Sequence, residues 1–138
     1  MNAPGSPVDG SSVAQRLGLN GTDAVMEIGF DTDVDATLRT AVIDAVGELL
    51  GEESDEIVEA VLLWCREEDG DLVDLLLDAR EPLADGGTVW LLTPKAGREG
   101  HIDPVTIEES SALAGLQSTK TLNASQDWVA SRMVVARR

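Results

Sequence analysis

Short apolar runs alternate with amphipathic stretches along this chain. Ala24 to Phe30 (AVMEIGF) is mostly apolar and short, which predicts a buried strand after the turn signal Asn20-Gly21. Val34, Leu38, Ala41, Val42, Ala45 and Leu49 then recur at helical spacing and form one apolar face. Asp33 and Asp35 sit where negative charge favours a helix N-terminus, and Asp35 is spaced to pair with Arg39 one turn on. After the acidic break Gly51 to Glu56, Val58 to Cys65 ends in an unbroken apolar run that suits a strand covered on both faces.

Asp69-Gly70-Asp71 predicts a turn into a second helix, with Leu72, Leu76, Ala79 and Leu83 facing inward and Asp71, Asp74 and Asp78 outward. Pro82 ends or kinks that helix, because it removes a backbone donor. Asp85-Gly86-Gly87 predicts a turn, and Thr88 to Thr93 a third buried strand. Pro94 to Asp103 reads as a loop, Asp103-Pro104 as the cap and first turn of a helix that stops near Gly115. Leu116 to Leu122 and Trp128 to Ala136 read as two strands joined by Asn123 to Asp127. Residues 1–12, rich in Pro, Gly and Ser, read as a flexible tail. Ser11 or Ser12 is placed to cap a short helix around Val13 to Leu17, and residues 13–138 read as a single domain.

Such alternation predicts an α/β domain: a mostly parallel sheet with helices on both faces and a C-terminal antiparallel strand pair. Ligands on these sheets bind beyond the carboxyl ends of the strands. Gly29 to Asp35, Arg66 to Asp71 and Pro94 to His101 each follow a strand at that edge, so position alone marks them.

Composition narrows the classes. The chain has 138 residues, 26 acids against 10 bases, a formal charge of −16 and 43% hydrophobic residues. That is one domain with a core, not an acidic disordered tail. A lone cysteine supports no internal disulfide. No apolar run approaches the roughly 20 residues of a membrane span, and no signal-peptide core opens the chain, so the expectation is a cytoplasmic protein without a membrane partner. The net charge argues against a nucleic-acid partner, despite a basic rim of Lys95, Arg98, Arg132, Arg137 and Arg138. Residues 1–94 carry 21 of the acids and 4 of the bases, while the remainder is near neutral. The oligomeric state is left open.

Val25-Met26-Glu27-Ile28-Gly29 matches the first half of an apolar-apolar-acidic-apolar-Gly-x-Gly-x-Gly pattern, and Ala84 to Gly87 before Val89-Trp90-Leu91 matches a fifth-strand entry. In these features, and in the closing strand pair, the chain resembles the Rossmann-type fold of S-adenosylmethionine-dependent methyltransferases. Gly70 to Asp74, and Trp90 to His101, are similar to an actinobacterial family known only as a domain of unknown function. Gly18, Glu27 to Gly29, Leu62 to Trp64, Ala114 to Leu116 and Trp128 fit the same family. That likeness covers roughly Arg16 to Arg137 and implies a fold and a bacterial cytoplasmic setting, without an activity.

The glycines of a methyltransferase cofactor loop allow tight turns and close backbone approach. Here the second and third glycine positions are Asp31 and Asp33. Two charges about 4 Å apart interact at roughly 4 kcal/mol for an effective dielectric of 20. Micromolar binding totals only about 8 kcal/mol. A misplaced carboxylate thus removes much of the affinity. The short connection from the first helix to Val58 also leaves little room for a second strand, whose end carries the ribose-binding acid in the enzymes. Glu27, Gly29, Asp31 and Asp33 therefore read as a degenerate cofactor loop, with no cofactor and no catalytic residue assigned. The expected function is a non-catalytic, methyltransferase-like regulatory or protein-interaction module. The alternative is an enzyme or sensor that binds S-adenosylmethionine, or a similar nucleotide, through an altered loop.

Asp31-x-Asp33-x-Asp35 invites a calcium reading, but an EF-hand loop needs Gly and Glu where Ala36 and Val42 stand. Glu99, His101 and Asp103 alternate on one segment, yet structural zinc wants cysteines and Cys65 stands alone in an apolar run. No metal site is assigned. Burial makes Cys65 a poor nucleophile. Glu27 is either a satisfied buried acid or a group aimed at the ligand edge. Trp64 and Trp90 belong in the core, whereas Trp128, at the start of the last strand, is open to exposure. The candidate ligand or partner site is Pro94, Lys95, Gly97, Arg98, Gly100 and His101, with Asp69 and Asp71 beside it. Its glycines free backbone donors and its cations attract an anion, so the expected partner is another protein or a small anionic ligand.

Overall fold

A computed structural model describes residues 15–136. The expected tail 1–12 and the start of the short helix at Val13 lie outside these residues. The elements run β1 (Val25–Ile28), α1 (Ala36–Val46), β2 (Val58–Trp64), α2 (Leu72–Arg80), β3 (Leu83–Pro94), α3 (Pro104–Leu113), β4 (Leu116–Asn123) and β5 (Trp128–Val135), with a 3₁₀ turn at Glu67–Asp69. The five strands form one sheet in the order β1-β2-β3-β5-β4. The first three are parallel, and β5 and β4 are antiparallel. This is the α/β architecture that the pattern predicts. No helix among the described residues is long and apolar enough to cross a membrane.

Strand alternation explains the unbroken run in β2. Ala60, Leu62 and Trp64 face one core with Leu38 and Val42 of α1, Trp90 and Leu92 of β3, and Trp128 of β5. Val61, Leu63 and Cys65 face a second core with Leu72 and Leu76 of α2, Val89 and Leu91 of β3, and Met133 of β5. Each face carries its own helical layer, so β2 and β3 are apolar on both sides.

Local chemistry sets most boundaries. Asp35, Asp71 and Asp103 cap α1, α2 and α3 by accepting from the backbone N–H of Leu38, Val73 and Val105. Gly47 closes α1 with φ 98°, earlier than the periodicity reaching Leu49 suggests. Phe30, expected in β1, lies outside it and is exposed.

Two expectations about the third strand are corrected. Leu83 starts β3 and does not line α2, and Asp85-Gly86-Gly87 is a bulge inside β3, not a free turn. Val58 pairs with Leu83 and Ala60 with Thr88, so five residues of β3 advance against two of β2. A Cβ on Gly87 would stand 3.0 Å from the Glu59 and Ala84 carbonyl oxygens, so the bulge is crowded against any larger residue. On the outer side of β1 the expected lack of a full second strand is seen. Leu50 alone bridges Met26, with the Glu27 N–H donating to the Leu50 oxygen at 2.8 Å and the Leu50 N–H to the Val25 oxygen at 2.9 Å.

Candidate functional site

The parallel strands β1, β2 and β3 deliver Gly29–Asp35, Arg66–Asp71 and Pro94–His101 to one edge, and Arg66 joins them. It stands two residues beyond the end of β2, after Cys65, and is 6% exposed. Its Nε donates to Asp33 Oδ2 at 2.9 Å, and one terminal nitrogen donates to the Gly29 oxygen at 2.8 Å and Asp69 Oδ2 at 3.1 Å. Its backbone N–H also donates to Asp69, at 2.9 Å. The guanidinium lies 5.4 Å from the centre of the Trp128 ring. From the third loop, Gly100 packs on the Arg66 stem, where a Cβ would come within 3.0 Å, and its carbonyl accepts from the Glu67 N–H at 2.9 Å.

The electrostatics follow from this geometry. Burial alone would lower the Arg66 pKa, but the hydrogen bonds it donates to Asp33 and Asp69, with the charges of those carboxylates, outweigh it and raise the value above the ordinary one. The hydrogen bond from Arg66 in turn holds the Asp33 carboxyl below the usual carboxylate range. The carboxylate at the third glycine position is thus neutralised from the neighbouring strand.

Gly29 is retained for a steric reason. Its φ is 85°, and a Cβ there would stand 2.2 Å from the Trp64 carbonyl oxygen. Its N–H donates to the Glu52 carboxylate at 3.0 Å. Glu27 is a satisfied buried acid, held by side chains from two elements. Arg39 grips it with Nε 2.8 Å from Oε2 and a terminal nitrogen 2.9 Å from Oε1, and the Trp64 indole donates at 3.0 Å. The hydrogen bond with Glu27 raises the Arg39 pKa. Arg39 therefore pairs with Glu27 and stacks on Phe30, and the expected Asp35–Arg39 pair does not form.

The three carboxylates of the calcium reading diverge. Asp31 accepts from the Thr32 N–H, Asp33 meets Arg66, and Asp35 caps α1. Asp103 caps α3, while His101 Nδ1 lies 3.0 Å from the Pro94 oxygen. That carbonyl only accepts, so Nδ1 carries the proton.

Of the expected partner site, Gly100 and Asp69 come onto Arg66, whereas Asp71 stays at the start of α2. Lys95 and Arg98 turn toward the β4–β5 connection. There Arg98 forms an exposed ion pair with Asp127, and the Lys95 N–H donates to the Asp127 carbonyl at 2.9 Å. Gly97, with φ 85°, has open space around it. Trp128, which its place in the sequence left open to exposure, is buried and meets Trp64 edge to face at 4.9 Å. The sequence marks the segment Arg66–Asp71 but does not single out Arg66 or Glu52, and it assigns Arg39 to Asp35 instead of Glu27. One signal was present: Arg66 is a lone cation placed directly after a buried strand in an acidic half of the chain.

The fold is that of the S-adenosylmethionine-dependent methyltransferases. The pyocyanin biosynthetic protein PhzM matches with a TM-score of 0.69 at 14% identity, over 95% of this chain and 55% of that one. The methyltransferase CcbJ from Streptomyces caelestis matches at 0.61 and 14%, over 96% and 97% of the two chains. The O-methyltransferase NcsB1, in complex with S-adenosylmethionine, matches at 0.64 and 15%, over 92% and 56%.

Residues 14–137 match the family described as "Protein of unknown function (DUF3052)", and the chain belongs to it. The "Uncharacterized protein Rv2239c" of Mycobacterium tuberculosis is 46% identical over 125 residues, 90% of this chain and 78% of that protein. The "Uncharacterized protein Mb2263c" of Mycobacterium bovis matches to the same extent.

The residues present do not fit S-adenosylmethionine in the usual manner. The Gly29 N–H is taken by Glu52, and the Asp33 carboxylate and Arg66 guanidinium occupy the crossing of the loops. The loop glycines that give a cofactor close approach are aspartates at positions 31 and 33.

Proposed function

We propose that this chain is a non-catalytic, methyltransferase-like interaction module of the bacterial cytoplasm with a regulatory role. The observation that carries this reading is the closure of the sheet's ligand edge by Arg66. Its donors are spent on Asp33, Asp69 and Gly29, where a ligand of the usual kind would need free groups. Calorimetric titration with S-adenosylmethionine tests it. The expected result is no heat of binding and no thermal shift. Micromolar affinity overturns the reading and turns it to the alternative, an enzyme or sensor with an altered loop.

The working surface in this reading is Pro94–His101, received from β3. The exposed Arg98–Asp127 pair supports it, because surface ion pairs are worth about 0–1 kcal/mol and exchange readily for an incoming carboxylate or phosphate. Lys95 adds charge beside it, and Gly97 leaves the backbone approachable. Replacing Lys95 and Arg98 together by Ala is expected to keep the fold and lose a partner that co-purifies with the parent protein from its native cell. Retention of that partner overturns the assignment of the surface.

A further inference from the structure

The second face of the sheet is not fully covered at its β1 end. α2 and α3 shield β2, β3 and β5 there, and on β1 they bury Met26 but leave Ile28 half-exposed beside the segment after Leu50. The result is a groove of about 510 Å³ between β1 and α2. Its floor and wall are apolar: Ile28 and Leu75 are half-buried, and Ile57 is 63% exposed. A large β-branched side chain this open, at the mouth of an apolar groove, is unsatisfied by the chain itself.

The rim is of one sign. Glu52, Asp55 and Glu56 stand on one side, Asp78 and Glu81 on the other, and no Lys or Arg lines the groove. Among the described residues, none of these five carboxylates is in an ion pair. They surround the groove and do not converge, since no three acids among the described residues are placed to hold one metal ion. An acidic or neutral occupant would strip water from these carboxylates without replacing it. An occupant with Lys or Arg between apolar residues covers the floor with alkyl stems and meets the rim with charge.

We propose that this groove docks a basic, partly apolar peptide segment of another protein. The site lies on the α2 face, apart from the Lys95–Arg98 loop, and it does not depend on whether a cofactor binds at Arg66. Its ligand chemistry is also opposite, cationic where that loop is built for anions.

The test uses the full chain and a dansyl-labelled amphipathic peptide of Lys and Leu, followed by fluorescence anisotropy. Micromolar binding is expected. It should weaken at least about tenfold in a Glu56→Lys/Asp78→Lys variant, and change less than about threefold in a Glu108→Lys/Glu109→Lys variant of identical net charge on α3. A peptide of Lys and Ser with the same charge should bind at least about tenfold more weakly, because it lacks the apolar component. Absence of binding, equal loss in the two charge-reversal variants, or equal affinity for the Lys/Ser peptide each overturns the proposal. A concentration-dependent dimer in sedimentation equilibrium that Glu56→Lys/Asp78→Lys abolishes would assign the groove to a second copy of this chain, and overturns it too. The Lys95→Ala/Arg98→Ala variant should bind the peptide like the parent chain, which separates failure of this proposal from failure of the loop assignment.

Discussion

Arg66 lies against Asp33 with Nε 2.9 Å from Oδ2, so a loop carboxylate and a buried guanidinium from neighbouring strands neutralise each other at the sheet's ligand edge. The pair ties β1 to β2 beyond the last rung of the ladder, and Gly100 on the Arg66 stem adds β3. Replacing Arg66 by Met removes the donors of Gly29, Asp33 and Asp69 at once. The expected cost is about 2–4 kcal/mol. Asp33→Asn, which keeps one acceptor at a half-exposed position, is expected to cost about 1 kcal/mol. Urea denaturation of both variants checks the order.

The same pair predicts an acid limb. The hydrogen bond from Arg66 lowers the folded-state pKa of Asp33 below its ordinary value of 3.8. The folded state therefore holds its proton less tightly than the unfolded chain, and the pair's contribution is fully present above the unfolded pKa. It is lost as pH falls through the folded value. Stability measured from pH 6 down to below 4 should fall less steeply in Asp33→Asn than in the parent. Parallel curves would dissociate Asp33 from acid unfolding.

Cys65 is buried in the second core, and burial, with Asp69 next, pushes its thiol up to about 12. At pH 8 almost no thiolate forms. A disulfide reagent such as dithionitrobenzoate is expected to leave the native protein unlabelled for hours and to label one thiol at once in 6 M guanidinium. Because the folded pKa is raised, this group favours the fold below the unfolded thiol pKa and loses that contribution as pH climbs toward 12.

Two glycines with the same backbone angle provide a controlled comparison. Gly29 and Gly97 both have φ 85°, but a Cβ on Gly29 would strike the Trp64 oxygen at 2.2 Å while one on Gly97 meets open space. Gly97→Ala bears only the left-handed penalty of about 1–2 kcal/mol. Gly29→Ala bears that and a backbone collision, so a loss above about 4 kcal/mol, or no folded protein, is expected. Thermal denaturation of the two variants distinguishes them. Equal midpoints would remove the steric reason for glycine at position 29.

Periodicity alone made the architecture legible. The unbroken run Ala60 to Cys65 could satisfy its alternating side chains only between two apolar layers, and Asp35, Asp71 and Asp103 cap helices through their own short side chains. These are local or nearly local matters, decided within a few residues. The bulge at Asp85-Gly86-Gly87 was not legible, because a Gly-Gly pair signals a turn unless a neighbouring strand supplies the register that absorbs it.

The identity of the site's members was a long-range matter. Arg39 is one turn from Asp35 in sequence, yet Glu27 on β1 lies within its reach, is buried and, among the described residues, has Arg39 as its ion-pair partner. Arg66 meets Asp33 across more than thirty residues, and Trp128 comes under it from the last strand. The sequence by itself determined the strand and helix order, the Asp103 cap and the edge where three loops would gather. Only the tertiary structure decided which charges neutralise one another there, because ion pairing depends on through-space distance and burial, and neither is encoded in spacing along the chain.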